Sequence, residues 1–195
     1  MLRRSLIAVS SAIFLAGCVS LGEDPPERLM GLTAQATVPA GTAKISQDKQ
    51  AVSVAMPALP SQLRNQRIAV QTGMTYAYMP KIAWVDTPGA MFRSVLAETI
   101  EAKTGRFVPD HRNASITPDN RLGGTLIAFQ LLGGQGQVLV IYDATLARSG
   151  SDEVKARRFE ARVPVAGEDA ATVAAGLNQA ANQVAAEVAE WIGQG

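Results

Sequence analysis

Residues 121–147 read RLGGTLIAFQLLGGQGQVLVIYDATLA, and this stretch decides the fold. Two runs rich in apolar and β-branched residues, 121–132 and 137–147, flank the glycine-rich turn 133–136. Such a pattern is typical of a β-hairpin. The second run carries apolar side chains on both faces, so we expect its strand to lie in the interior of a sheet.

The chain after the hairpin predicts a third strand and a long helix. A turn at 149–152 leads into 153–165, where apolar and charged residues alternate, so one face should be buried and the other solvated. The charged side of this strand carries Arg158, Glu160 and Arg162. The acidic residues Glu168 and Asp169 then begin a helix over 169–192, whose apolar residues recur at helical spacing.

The chain before the hairpin predicts one helix and several short strands. Thr87 is a typical N-cap residue, Pro88 suits the first helical turn, and Gly105 suits the C-cap. These signals predict a helix over 88–104.

Strands are expected at 29–38, 51–56 and 67–71, and the last could resume at 75–79. The resulting order is strands, helix, three-stranded meander and helix. We therefore predict a single-domain α+β fold with a sheet of about five to six mostly antiparallel strands and two long helices packed on one face.

Composition limits the classes of function that are open to the chain. Its 195 residues correspond to one domain. Lys and Arg number 18 against 17 Asp and Glu, a net charge of +1, so a nucleic-acid partner is not expected. One Cys and one His exclude a disulfide framework and a multi-ligand zinc or iron–sulfur site.

The N-terminus predicts export and lipidation. Arg3 and Arg4 precede a short apolar stretch that ends in LAGC at 15–18, a pattern that resembles the lipobox of bacterial lipoproteins and is too short to span a membrane. We expect cleavage after residue 17 and acylation of Cys18, whereas an ordinary signal peptide with an incidental Cys is the alternative. No Asp follows Cys18 directly, and by resemblance to other lipoproteins this favours the periplasmic face of the outer membrane over the inner membrane.

Three segments follow from this interpretation. Residues 1–17 are the signal peptide, 18–28 are a lipidated tether containing Pro25-Pro26, and 29–195 are the folded domain. The membrane is thus a partner through the N-terminal lipid.

Catalytic motifs are missing from the sequence. No Ser lies in a G-x-S-x-G context, and the turn 133–136 lacks both a following helix and the Lys-Ser/Thr pair of a phosphate-binding loop. His111 lies beside Asp110 in a polar loop, where a lone histidine is most often solvated. We expect no catalytic residue, no metal and no cofactor.

Aromatic residues concentrate in 74–88, MTYAYMPKIAWVDTP. Amphipathic aromatics are enriched in protein interfaces. Tyr76 and Tyr78 share one strand face and, with the neighbouring Met79, are the predicted partner-binding residues. Trp84 is predicted to have a structural role by packing beneath the helix that Pro88 begins.

These landmarks together resemble the auxiliary lipoproteins of ABC-type transport systems, a family that accompanies mammalian-cell-entry (MCE) domain proteins and includes paraquat-inducible lipoprotein C. The resemblance covers nearly the whole mature chain. It is carried by Cys18, Leu32-Thr33, the Pro60 to Leu63 step, Trp84, Pro88, Leu96, Phe129, Gly134, Arg158-Phe159 and Trp191. One departure lies in the first strand, where the family usually has a Tyr-Tyr pair and this chain has Leu29-Met30.

The resemblance implies a non-catalytic periplasmic component of a lipid-transporting ABC system that docks on an MCE-domain protein. The exposed edge of a small open sheet also makes a homo-oligomer possible. The alternatives are an outer-membrane assembly or cell-wall adaptor lipoprotein and, from the enzyme class, a periplasmic hydrolase.

Overall fold

The computed structural model describes residues 25–43, 50–110 and 117–194. The predicted signal peptide, Cys18 and His111 lie outside these ranges. The elements in chain order are β1 (Arg28–Met30), β2 (Val52–Val54), a 3-10 helix (Ser61–Leu63), β3 (Ala69–Thr72), β4 (Thr75–Tyr78), β5 (Ile82–Trp84), α1 (Pro88–Thr104), β6 (Asn120–Leu132), β7 (Gln137–Arg148), β8 (Val154–Pro164) and α2 (Ala170–Gly193).

The predicted three-stranded meander is confirmed. β6 and β7 pair antiparallel from Asn120 opposite Arg148 to Leu132 opposite Gln137. β8 pairs antiparallel with the other side of β7, so β7 lies in the interior of the sheet as expected. Long local strands joined by short turns can form this unit without help from distant parts of the chain.

The other side of β6 is paired in a way that the sequence pattern did not indicate. β2 pairs parallel with the start of β6, and β3 pairs parallel with its end. β3 also forms an antiparallel hairpin with β4, which makes β4 one edge of the sheet and β8 the other. The main sheet therefore has six strands and is mixed, and β1 and β5 form a separate parallel pair.

Both helices pack on the same face of the sheet. Tyr142 of β7 and Phe159 of β8 are cross-strand partners, so their side chains lie on one face. The ring of Phe92 from α1 contacts Tyr142 with centroids 5.2 Å apart, and Trp191 from α2 contacts Phe159 at 5.7 Å. The main core lies between this face and the helices, which confirms the predicted α+β architecture.

The helix ends follow the predicted signals. Thr87 caps α1 by accepting a hydrogen bond from the backbone N–H of Ala90, and Gly105 ends the helix with a left-handed φ of 68°. Asp169 caps α2 by accepting from the N–H groups of Ala171 and Thr172. No helix of the described residues combines the length and the apolar character needed to cross a membrane.

The predicted first strand is the main error, because only its beginning is a strand. After β1 the chain continues as an extended segment over 31–38, here called the strap, which is bound by helix side chains instead of a neighbouring strand. The strap N–H groups of Thr33 and Gln35 donate to the side-chain oxygens of Asn178 and Asn182 at 2.9 and 2.7 Å. Side chains of α2 thus satisfy the backbone N–H groups of Thr33 and Gln35, and Glu98 of α1 accepts from the N–H of Val38 at 2.8 Å. Alternation in the sequence cannot distinguish this binding from strand pairing.

Candidate partner-binding surface

The β3–β4 hairpin projects an apolar residue from an edge of the sheet. Its two-residue turn is formed by Gly73, with a φ of 59°, and Met74, which is 98% exposed. Glycine is favoured at the first position of such a turn because that position needs a positive φ. The hydroxyl of Thr75 donates to the carbonyl of Thr72 at 2.8 Å, so the turn is well held. The structure thereby presents a methionine to solvent on a fixed support.

Tyr76 lies on the same hairpin and is 43% exposed. It stands opposite Gln71 of β3 in the antiparallel register. Together, Met74 and Tyr76 form an exposed apolar and aromatic surface, here called the hairpin surface. Met74 was not among the residues predicted to bind a partner. The available signal was an apolar residue at a turn position that is usually polar or glycine.

The other two predicted partner-binding residues are more tightly held. The Tyr78 hydroxyl accepts a hydrogen bond from Asn65 Nδ2 at 3.0 Å and donates to the Gln62 carbonyl at 3.2 Å, while the Arg67 guanidinium lies 5.4 Å from its ring centroid. Met79 is half-buried and packs against the main core. Of the predicted trio, Tyr76 is therefore the residue that the structure leaves most available for a partner.

Trp84 is fully buried, with 0% exposure. Its ring meets Phe129 of β6 edge to face at 5.6 Å, and its backbone N–H donates to the carbonyl of Gln66 at 2.6 Å. Among the described residues, the indole Nε1–H has no hydrogen-bond partner. Pro88, the other residue with a predicted structural role, is buried in the first turn of α1.

Charged pairs cover the solvent face of β8, the opposite edge of the sheet. Arg158 forms two parallel hydrogen bonds with the Asp143 carboxylate at 2.6 and 2.7 Å, and Arg162 pairs with Glu160 at 2.7 Å. The bonds from Arg158 lower the pKa of Asp143. Because these charges are exposed, they contribute little to stability but they oppose apolar association on that face.

One tyrosine hydroxyl lies inside the core. Burial raises the pKa of Tyr142, and its hydroxyl donates to the Gly123 carbonyl at 2.7 Å. A phenol in that state is a structural donor inside the core. Within 25–43, 50–110 and 117–194, no group of three or more His, Cys, Asp or Glu side chains could hold a metal ion.

The family relationship is established by a family model described as the ABC-type transport auxiliary lipoprotein component, which matches residues 32–189. The chain belongs to this family. This confirms the resemblance drawn from the sequence. Membership of a lipoprotein family indicates a membrane-anchored location in the cell envelope, and the family description indicates association with an ABC transport system.

Solved structures support the fold of this auxiliary lipoprotein. A Xanthomonas campestris protein of the family DUF330 is 22% identical with a TM-score of 0.69, covering 84% of this chain and 94% of the other. An uncharacterized protein is 18% identical with a TM-score of 0.65, covering 85% of this chain and 99% of the other. No curated protein matches the chain significantly.

Proposed function

We propose that this auxiliary lipoprotein is a non-catalytic accessory component of an MCE-type lipid-transport ABC system, held by lipid at the periplasmic face of the outer membrane and acting by docking on the MCE-domain protein. The observation that carries the docking step is the exposed hairpin surface, Met74 and Tyr76, on a rigid sheet edge. Interfaces are enriched in tyrosine and methionine, and rigid supports reduce the entropic cost of binding. Membership of the auxiliary family supports the ABC system as the setting.

The proposed anchor is the acylated Cys18, with 1–17 removed and 18–28 as the tether to the domain over 29–195. The end of the tether is fixed to the domain, since the N–H of Glu27 donates to the carbonyl of Lys81 at 2.9 Å and their side chains form an ion pair at 3.1 Å. At roughly 3 Å per residue, the tether holds the domain within about 30 Å of the lipid surface. The domain therefore works close to its own membrane.

A pull-down from envelope extract tests the docking step. Wild-type protein is expected to recover an MCE-domain protein, and Met74→Ala/Tyr76→Ala should recover less of it. The matched control is Leu29→Ala/Val85→Ala, which shortens two exposed apolar side chains, one in β1 and one directly after β5, 59% and 53% exposed.

Equal recovery by both double variants would contradict docking through the hairpin surface. Recovery of only peptidoglycan or barrel-assembly proteins would favour the adaptor alternative. Tyr78→Ala is less suitable as a probe, because it also breaks the hydrogen bonds to Asn65 and Gln62.

Absence of catalysis is tested separately. If the protein is an accessory component, His111→Ala and Asp110→Ala should leave its transport function unchanged. Loss of function in either variant, with unchanged stability and recovery of the partner, would point to the hydrolase alternative.

Self-association is a second part of the proposal. β8 is an edge strand of 11 residues, and no described strand pairs with its outer side, so its backbone there can pair with another copy. Light scattering of the purified mature protein should then give a mass above that of the monomer. A monomer at every concentration that can be reached would remove this part without affecting the docking step.

A further inference from the structure

A small cleft lies at the end of the sheet where α1 stops. Its volume is about 110 Å³. The residues that line it are Arg106, Asn120, Leu146, Ala147, Arg148, Ser151, Glu153 and Lys155. These residues come from the segment after α1, the start of β6, and the β7–β8 hairpin, so three separate parts of the fold meet there.

The strand register explains why the cations converge. Leu146 is the cross-strand partner of Lys155, and Asn120 is the partner of Arg148, so each pair shares a face. Leu146 and Arg148 lie two residues apart on β7 and therefore share that face as well. Leu146 packs partly against the main core, which identifies this face as the one that carries the helices.

Three cations of the cleft have no anionic partner among the described residues. Within the described part of the chain, the side chains of Arg106, Arg148 and Lys155 form no ion pair and no hydrogen bond. On the opposite face of β8, by contrast, Arg158 and Arg162 each pair with an acid. The single acid of the cleft, Glu153, is not paired with any of the three cations.

The dipole of α1 does not account for this cluster. The negative end of a helix attracts a cation in or just beyond its last turn, which suits Arg106 after the Gly105 cap. Arg148 and Lys155 belong to the β7–β8 hairpin, and two more cations exceed what one helix end requires. The full chain has 18 cations and 17 anions, and without Arg3 and Arg4 the mature chain, 18–195, has 16 cations against 17 anions. Because the mature chain as a whole is nearly neutral, the cluster of cations is a local feature.

We propose that this cleft binds a phosphate group. Two guanidinium groups present paired N–H donors that match phosphate oxygens, and the ammonium of Lys155 adds a third positive charge. Ser151 offers a hydroxyl at the rim, while Glu153 can accept a hydrogen bond from a hydroxyl attached to the phosphorus or to a headgroup glycerol. The small volume suits one such group and excludes a folded peptide segment.

The phosphate could belong to a phospholipid headgroup or be free in the periplasm, because both sources present anionic non-bridging oxygens to the cleft. The inference deepens the proposed function and rests on it only for the lipid source. Docking of the MCE-domain protein is tested by the hairpin surface variants, so failure of one proposal can be distinguished from failure of the other.

The test uses the mature lipidated protein in a non-ionic detergent. It is titrated with inorganic phosphate and with short-chain phosphatidylglycerol, each at constant ionic strength, and the NMR shifts of the Arg106 and Arg148 Nε–H groups and of the Ser151 amide are followed. The variant is Arg148→Gln/Lys155→Gln. The matched control is Arg158→Gln/Arg162→Gln, which removes the same charge from the other face of β8.

Binding should shift the cleft signals in wild type and in the control, whereas the cleft variant should bind about tenfold more weakly or worse, because it loses two charge-assisted contacts. Tighter binding of the lipid than of inorganic phosphate would identify the headgroup as the source, and equal binding would identify free phosphate. Absence of saturable shifts with both probes, or equal weakening in both double variants, would overturn the inference.

Discussion

Replacing Trp84 with alanine removes the largest fully buried side chain of the described core. The indole is 0% exposed and meets Phe129 edge to face. Truncating a buried tryptophan to alanine costs about 3 to 5 kcal/mol, from lost transfer free energy and the cavity that remains. Since a domain of this kind is stable by about 5 to 15 kcal/mol, Trp84→Ala should lower its melting temperature markedly or unfold it.

Trp84→Phe separates packing from polarity at the same position. Phenylalanine leaves part of the cavity empty, which is destabilising. It also removes an Nε1–H that is buried without an acceptor, and an unpaired buried donor costs about 1 to 3 kcal/mol. The two effects oppose each other, so we expect a net change within about 1 kcal/mol.

Urea denaturation followed by far-ultraviolet circular dichroism measures both variants against wild type. The slope of the free energy with denaturant should stay the same, so that shifts of the midpoint report stability directly. A Trp84→Ala protein within about 1 kcal/mol of wild type would refute the structural role of Trp84. A Trp84→Phe protein as unstable as Trp84→Ala would refute the reasoning about the unpaired Nε1–H.

Four further predictions concern other parts of the chain. Cys18→Ala should lack acyl chains by intact mass and leave the membrane fraction; a wild type without added lipid mass would contradict this. Asn182→Ala should destabilise by about 1 to 3 kcal/mol and speed amide exchange in the strap, because a strap N–H and carbonyl lose their partners. Gly124→Ala should destabilise far more than Gly123→Ala in thermal melts, because Gly124 has a φ of 144° and an added Cβ would overlap a backbone carbonyl of β7. Hydrogen bonds from the first turn of α2 lower the pKa of Asp169. Its contribution to the free energy of unfolding is therefore present above the unfolded-state pKa and is lost as pH falls through the lower folded-state pKa. Asp169→Ala should make the free energy of unfolding less dependent on pH in this acid range.

The local part of the fold could be predicted from the sequence because its signals and its contacts lie close together in the chain. α1 has the bounds that Thr87, Pro88 and Gly105 predicted, and the meander follows from alternation and short turns. Together with α2, predicted over 169–192 and observed over Ala170–Gly193, these elements form most of the sheet and both helices. The fold class followed from their order alone.

The strap could not be predicted, because its partners are distant side chains. Thr33 and Asn178 are 145 residues apart, and a strand and a strap show the same alternation of burial. The parallel pairings of β2 and β3 with β6 were also not predicted, because strands of three and four residues are too short to show a clear alternation of apolar and polar residues. β5, also three residues long, was missed within the aromatic run.

The candidate site was only partly visible in the sequence. Alternation placed Tyr76 and Tyr78 on one strand face. The hydrogen-bond partners of Tyr78, however, are Asn65 and Gln62, and they belong to a segment whose turn the sequence does not specify. The cleft could not be predicted from the sequence, because Arg106 is distant in the chain from Arg148 and Lys155 and only the folded sheet brings them together. Only the register of β6, β7 and β8 brings Arg148 beside the start of β6.

The two proposed sites lie at opposite ends of β6. The β3–β4 hairpin joins this strand near Gln130, whereas the cleft begins at Asn120. At about 3.3 Å per strand residue, the ten intervening steps separate the two sites by roughly 30 Å. A partner docked on the hairpin surface would thus leave the cleft open to its ligand, so Met74→Ala/Tyr76→Ala should retain phosphate binding and Arg148→Gln/Lys155→Gln should retain the partner. If either double variant abolished both partner docking and phosphate binding without unfolding, the protein would instead have one shared binding surface. The assignment of two separate sites to the two ends of β6 would then be wrong.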